Sequence, residues 1–446
     1  MDRSTKLSQM PMLQLVINMS LPLMVSLLVQ SLYNIVDSIF VARLSEQALT
    51  ATSLAFPVQL LMIAVGVGTS VGVNALLSRN LGAKDEEMVR KTASTGVILA
   101  LLSAGVFMVL GLFCSGIFAR SFTSDPDIAE QCHQYLQICM LVCVGTFLET
   151  MFQRFLQAAG DTFNSMLSLI AGAVTNIILD PILIFGWAFF PRLEIRGAAI
   201  ATVIGQCVAA LVAIALNTKK NPAVKVSFKA LRFDKKVAGQ IYKVGLPTIL
   251  TQAIGSIMIA AVNKILMPFS ASAVAFFGVY YKLQNFLFMP MNGLGQAAIP
   301  IVGFSYGAKR YDRIRAAIRT TLPIAVVIAV IFTVVFLVLP RQLLGLFNAS
   351  DAMLAIGVPA LRIIAPTFAL ASVTMILGYS MSGLGNGLVN MLGTALRQLI
   401  PFVPLCALFA RLFGVDMVWY GMWVSELCAC GYAILASRQY MKKKGV

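Results

Sequence analysis

The chain has 446 residues, of which 59% are hydrophobic and only 12% charged, with a formal net charge of +16. A soluble domain carries about 25% charged residues, so this composition excludes an ordinary globular protein and makes the chain an integral membrane protein. The positive charge is confined to short loops between apolar runs, which is the signature of membrane orientation and excludes nucleic acid as a partner.

The start, Met1 to Lys6, is polar, and the first apolar run has no small-residue cleavage site followed by a soluble domain, so it reads as a retained span. Windows long enough to cross a hydrocarbon core fall near 15–41, 50–77, 93–114, 133–153, 165–190, 198–216, 241–266, 273–304, 321–340, 354–381, 391–412 and 417–436. These twelve spans predict an all-α integral membrane fold. Of the 34 Lys and Arg, 24 lie at the termini and in the 2–3, 4–5, 6–7 and 8–9 connections, Arg154 being counted in the 4–5 loop. Six (Arg43, Arg120, Arg192, Arg196, Arg341, Arg411) fall on the opposite side, so both termini and the 6–7 linker are expected in the cytoplasm.

The linker at 217–240 is the one long polar break. It separates an N-lobe, 1–216 with spans 1–6, from a C-lobe, 241–446 with spans 7–12, and the two halves repeat at a constant offset of 225 residues. Leu21-Pro22 matches Leu246-Pro247, Gly68 matches Gly293, Gly82-Ala83-Lys84 matches Gly307-Ala308-Lys309, and Gly160 matches Gly385. Six spans is an even number, so both copies enter from the same side. The expected architecture is two parallel six-helix bundles related by a pseudo-twofold along the membrane normal, around a central cleft.

The buried chemistry is not repeated. Asn176 and Asp180 share a helix face in span 5, where Pro181 cannot donate to the carbonyl of Ile177 and should kink the helix. With Asp37 in the outer half of span 1, Gln153 and Glu149 in span 4 and Thr202 opening span 6, they form an oxygen-rich set suited to a small cation, Na⁺ or H⁺. Their counterparts are Pro401, Leu405, Val262 and Thr374 for Asn176, Asp180, Asp37 and Glu149, while the C-lobe carries Lys264, Lys282, Arg397 and Glu426. The eight cysteines read as small hydrophobes, and a single histidine, His133, rules out a multi-histidine metal centre. No nucleophile–base pair or nucleotide loop is evident, so the chain is not expected to be an enzyme. Asn348-Ala349-Ser350 has the spacing of a glycosylation acceptor and carries weight only in a secretory pathway.

Span 8 mixes aromatic, amide and thioether side chains. Lys282, Gln284, Asn285, Met289 and Met291 there, with Phe56, Gln59 and Met62 on span 2, Tyr33 and Asn34 on span 1 and Glu149 on span 4, make an adaptable lining for a hydrophobic, cationic ligand. Met and Phe at helical spacing equally serve packing.

Leu21-Pro22, Ala158-Ala159-Gly160-Asp161-Thr162, Asn176 to Pro181 and Gly197 to Thr202, set in twelve spans of two parallel halves, resemble the multidrug and toxic compound extrusion (MATE) family. The resemblance covers essentially the whole chain and is strongest to the prokaryotic branch of DNA-damage-inducible and staphylococcal-type multidrug exporters. It implies a cation-coupled antiporter, monomeric in a prokaryotic plasma membrane, that expels amphipathic, often cationic, drugs and dyes by alternating access. It also implies a cation site on Asp37, Asn176, Asp180, Gln153 and Thr202, although Gln153 stands where the family commonly has Asn or Glu. The other branch's acid pair in spans 7 and 10 has no counterpart here. The alternative within the same superfamily is a flippase for lipid-linked oligosaccharides, which would use Lys264, Lys282 and Arg397 for pyrophosphate.

Overall fold

The structure, a computed structural model, describes residues 3–187, 191–347 and 349–445; the end of the fifth window, at 188–190, and Asn348 of the candidate acceptor lie outside the described residues. Every regular element among the described residues is helical. The first six spans are α1 (Met12–Leu44), α2 (Glu46–Gly82), α3 (Glu86–Phe113), α4 (Pro126–Leu141 with Val144–Ala158), α5 (Thr162–Phe185) and α6 (Glu194–Lys220). The second six are α7 (Lys235–Leu266), α8 (Ala271–Gly307), α9 (Tyr311–Val338), α10 (Asp351–Ile364 with Phe368–Gly383), α11 (Gly387–Gln398 with Phe402–Phe413) and α12 (Tyr420–Lys444). Among the described residues ten spans are long and apolar enough to cross a membrane by themselves, and α4, bent by 47°, makes an eleventh. The twelfth, α12, packs on α10 and α11 as α6 packs on α4 and α5.

The repeat extends to the atoms that start and stop the helices. Ser45 and Ser270 cap α2 and α8 by accepting from Ala48 N and Ala273 N, at 3.0 and 3.2 Å. Both helices then run 37 residues to Gly82 and Gly307. Left-handed backbone recurs at Lys84 and Lys309, and again at Gly160 and Gly385. The copies differ most plainly in their fifth spans. α5 runs unbroken through Pro181, whereas α11 is interrupted at 399–401, where Pro401 occupies the register of Asn176.

The lobes meet through reciprocal contacts, as a twofold axis requires. A Cβ on Gly68 would strike Ile249, and one on Gly293 would strike Met24, its equivalent. Likewise Gly82 faces the carbonyl of Phe304 and Gly307 faces that of Arg79. The base of each lobe's first helix also sits in the other lobe's core. Leu15, Val16 and Met19 pack with Ile301, Ala317 and Ile376, while Val237, Ala238 and Ile241 pack with Leu76, Ala93 and Met151. Just beyond these bases each helix carries a proline. Pro22 leaves the carbonyl of Asn18 without its helical donor, and the hydroxyl of Thr162 donates to that oxygen at 3.4 Å.

All of these contacts lie toward the face that carries both termini and the 221–234 connection, called the basic face below. There every residue of α2 from Gly68 to Ser78 is buried, whereas no residue of α1 from Leu27 to Phe40 is. The lobes therefore close at the basic face and part toward the other.

Candidate functional site

Within the N-lobe a cavity of about 250 Å³ lies among α1, α2, α4, α5 and α6, with Gln252 of α7 and Gln296 of α8 contributed from the C-lobe. Two glycines set its geometry. Gly172 on α5 and Gly205 on α6 touch backbone to backbone, for a Cβ on either would lie 2.7–2.8 Å from the other's carbonyl oxygen. One turn from each, Asn176 and Thr202 are thereby brought to the same cavity wall.

Asp180 lies one turn further along α5 and is completely buried. Its Oδ1 accepts from Asn176 Nδ2 at 3.2 Å, while its Oδ2 has no partner. Asn176 Oδ1 and Asp37 Oδ1 are likewise buried without a donor. Asp37 is close enough for its charge to act on Asp180, Tyr135 and Cys139. Unmet buried oxygens on two neighbouring carboxylates and an amide form an acceptor-rich environment. Such oxygens are costly to bury unpaired and have the chemistry that a small cation or a proton would satisfy. Among the described residues no group of three or more His, Cys, Asp or Glu converges to hold a metal ion, here or elsewhere.

The remaining expected ligands, Gln153 and Thr202, line the same cavity as Asn176 and have other partners there. Gln153 Nε2 donates to Glu149 Oε1 at 3.0 Å, which points it at Glu149. Thr202 stands close to Tyr135, whose hydroxyl accepts from Gln59 Nε2 at 3.3 Å. Of the expected substrate lining, Tyr33 and Glu149 face the cavity. Met62 is buried in the N-lobe core and Met291 in the C-lobe core. Phe56, Asn34, Lys282 and Asn285 are exposed, with Gln284 and Met289 half-buried on α8.

The cavity floor holds a residue the sequence reading misplaced. Arg154, counted there as a loop charge, is buried in α4 and donates through Nη1 to Gln157 Oε1 at 2.7 Å and to Gln296 Oε1 at 2.9 Å, the second bond crossing between lobes. Gln157 continues to Ser165 at 2.9 Å. The signal was the stripe Glu149, Gln153, Gln157 at four-residue spacing, which turns a polar face inward just where the apolar window ends. Arg154→Met strands both glutamine oxygens, at about 1.5 kcal/mol for each bond to a charged donor. The variant is expected to melt several degrees lower in detergent, and an unchanged melting temperature would mean the bridge carries no load.

The C-lobe holds a separate pair. Arg397 Nε lies 3.8 Å from Glu426 Oε1, both side chains being 8% exposed, with the guanidinium 5.1 Å from the Phe288 ring centre. Arg397 Nη1 and Glu426 Oε2 have no partner. Breaking one side of such a pair costs about 3–5 kcal/mol, whereas replacing both sides is often neutral. Arg397→Met is therefore expected to destabilise strongly and Arg397→Met/Glu426→Gln to recover most of the loss, as thermal denaturation of the two would reveal.

Comparison with known proteins places this geometry. The MatE family model matches residues 22–182 and again 247–408, the two matches beginning 225 residues apart. The multidrug export protein MepA of Staphylococcus aureus is 25% identical over 423 residues, covering 94% of this chain and 92% of its own. A MATE crystallised in a bent conformation superposes with a TM-score of 0.92 at 24% identity, covering 100% of this chain and 98% of that one. An outward-facing multidrug resistance MATE family transporter of the MOP superfamily superposes with a TM-score of 0.90 at 24% identity, covering 99% and 98%.

Proposed function

The chain belongs to the MatE family, and from that premise we propose that it is a multidrug efflux transporter, a cation-coupled antiporter that exports amphipathic, often cationic compounds by alternating access. The family is one of transporters and not of enzymes. The observation that carries the coupling is the set of unpartnered oxygens on Asp37, Asn176 and Asp180. In this reading the basic face is cytoplasmic, in a prokaryotic plasma membrane, because Lys and Arg concentrate there. The closed basic face then makes this the outward-open state.

Na⁺ or H⁺ enters from outside and loads the Asp37–Asp180 pair, and the drug leaves the cavity. The lobes, 1–216 and 241–446, then rock about the 217–240 linker, and the ion departs inward. For a neutral drug, one charge crossing the potential supplies about 2.3 kcal/mol per 100 mV, nearly two tenfold steps of concentration, whereas one-for-one exchange with a singly charged drug moves no net charge and draws on the ion's concentration gradient alone. Glu149, on the same wall, offers a cationic substrate a counter-charge. Arg397 faces Glu426 and not the N-lobe cavity, so it lends a pyrophosphate-binding flippase little. Proteoliposomes given a sodium gradient and a proton gradient in turn test the proposal, with dye export expected under one of them. Absence of export under both would overturn the antiport reading.

A further inference from the structure

A second cavity, about 230 Å³, opens on the basic face between the lobes. Its wall takes Arg79 from the end of α2, Gln240 and Lys243 from the first turns of α7, Tyr440 and Lys444 from the end of α12, and the turn at Gly385. Among the described residues no carboxylate lines it. Arg79 Nη2 donates across the lobes to Gln240 Oε1 at 3.2 Å, and a Cβ on Gly385 would find only Arg79 Nη1, at 3.7 Å. The Lys444 ammonium hangs 5.8 Å from the rings of both Tyr306 and Tyr440. Three like charges sharing one wall repel unless an anion sits among them.

The pseudo-twofold supplies a comparison within the same molecule. At the equivalent place in the N-lobe, the turn at Gly160 is covered by the short helix Arg3–Gln9, with Leu7 packed on Gly160 and Lys6 Nζ donating to its carbonyl at 3.4 Å. The counterparts of Arg79 and Lys243 there are Phe304 and Asn18. One copy of the cleft is thus filled by the chain's own apolar residue, and the other is left open and cationic.

We propose that the open cleft binds a phosphate group, delivered by the headgroup of an anionic phospholipid in the facing leaflet, and that the bound phosphate clamps the lobes together at this face. A guanidinium fork beside two ammonium groups matches the charge and oxygen geometry of phosphate. Since its ligands come from both lobes, the site exists only while the basic face is closed, and its occupant favours that state.

The test is native mass spectrometry of the full chain carrying phosphatidylglycerol or phosphatidylcholine, with melting temperatures checked in parallel. Wild-type protein is expected to retain phosphatidylglycerol selectively. Arg79→Gln/Lys243→Gln/Lys444→Gln is expected to lose that retention by about five-fold per charge, roughly a hundred-fold in all. Lys219→Gln/Lys220→Gln/Lys225→Gln, exposed on the same face outside the cleft, is expected to keep it. Lys444→Gln alone, at the exposed end of α12, gives the single-charge step without risk to folding. Displacement of the lipid by millimolar inorganic phosphate supports the phosphate chemistry, whereas tighter binding of free phosphate than of the lipid overturns the lipid source. Equal losses from both triple variants, or equal retention of the two lipids, would overturn the site. Hydrogen exchange across residues 72–79 that phosphatidylglycerol leaves unchanged would overturn the clamp.

Discussion

Asp180→Asn abolishes dye export while the protein stays in the membrane at wild-type abundance and melts no lower than before. The two halves of this expectation come from the same atoms. Asparagine keeps the volume and an oxygen for the Asn176 amide, now 3.2 Å from Asp180 Oδ1. It also removes a buried carboxylate whose Oδ2 has no donor, so the folded protein sheds a desolvation cost and gains stability. Transport responds the other way, because an amide can neither take up a proton as a carboxylate does nor hold a cation with a formal charge. Losing a charged ligand at such depth is worth about 2–3 kcal/mol, or roughly a hundred-fold in ion affinity. Asp37→Asn should behave alike, since Asp37 Oδ1 is equally unmet. Efflux by Asp180→Asn at the wild-type rate, measured in proteoliposomes with matched protein content, would remove this pair from the coupling mechanism.

The scaffold was legible because the membrane allows few solutions: apolar runs of spanning length, loops marked by basic residues, and a duplication whose offset survives in glycines that no larger residue could replace. Asp180 and Asn176 were legible for a related reason, being polar where polarity is expensive. What could not be read was direction. Gln153 was expected at the Asp37 site and turns to Glu149, because a glutamine chooses among neighbours that only the fold assembles. Met291 looked like cavity lining and is core, since periodicity does not say which side of a helix meets another. Arg154 was assigned to a loop because charge was taken as a mark of the surface, and only the approach of α8 gives that guanidinium its second glutamine.

The interface between the lobes makes the second strong expectation, that Gly82→Val and Gly307→Val each stop transport and do so to the same degree. The two glycines are equivalent across the pseudo-twofold, and a Cβ on them would run into the carbonyl oxygens of Phe304 and Arg79, themselves equivalent positions. The obstacle in each case is backbone, so no rotamer change can relieve it, and the relief available is separation of the lobes at the basic face. Overpacking of this kind costs about 1–3 kcal/mol. Charged against the closed state alone, that shifts the balance between closed and open basic faces by about five- to 150-fold. A transporter so biased still binds ligand and cannot complete its cycle. Spin labels placed on either side of the basic face should report a longer distance in both variants. Gly278→Val on α8, where a Cβ meets nothing within 4 Å, should leave distance and transport unchanged. If valine were tolerated at one glycine and not at its equivalent, closure would not be the symmetric event that these reciprocal contacts describe, and the two lobes would have to be assigned different roles in the gate.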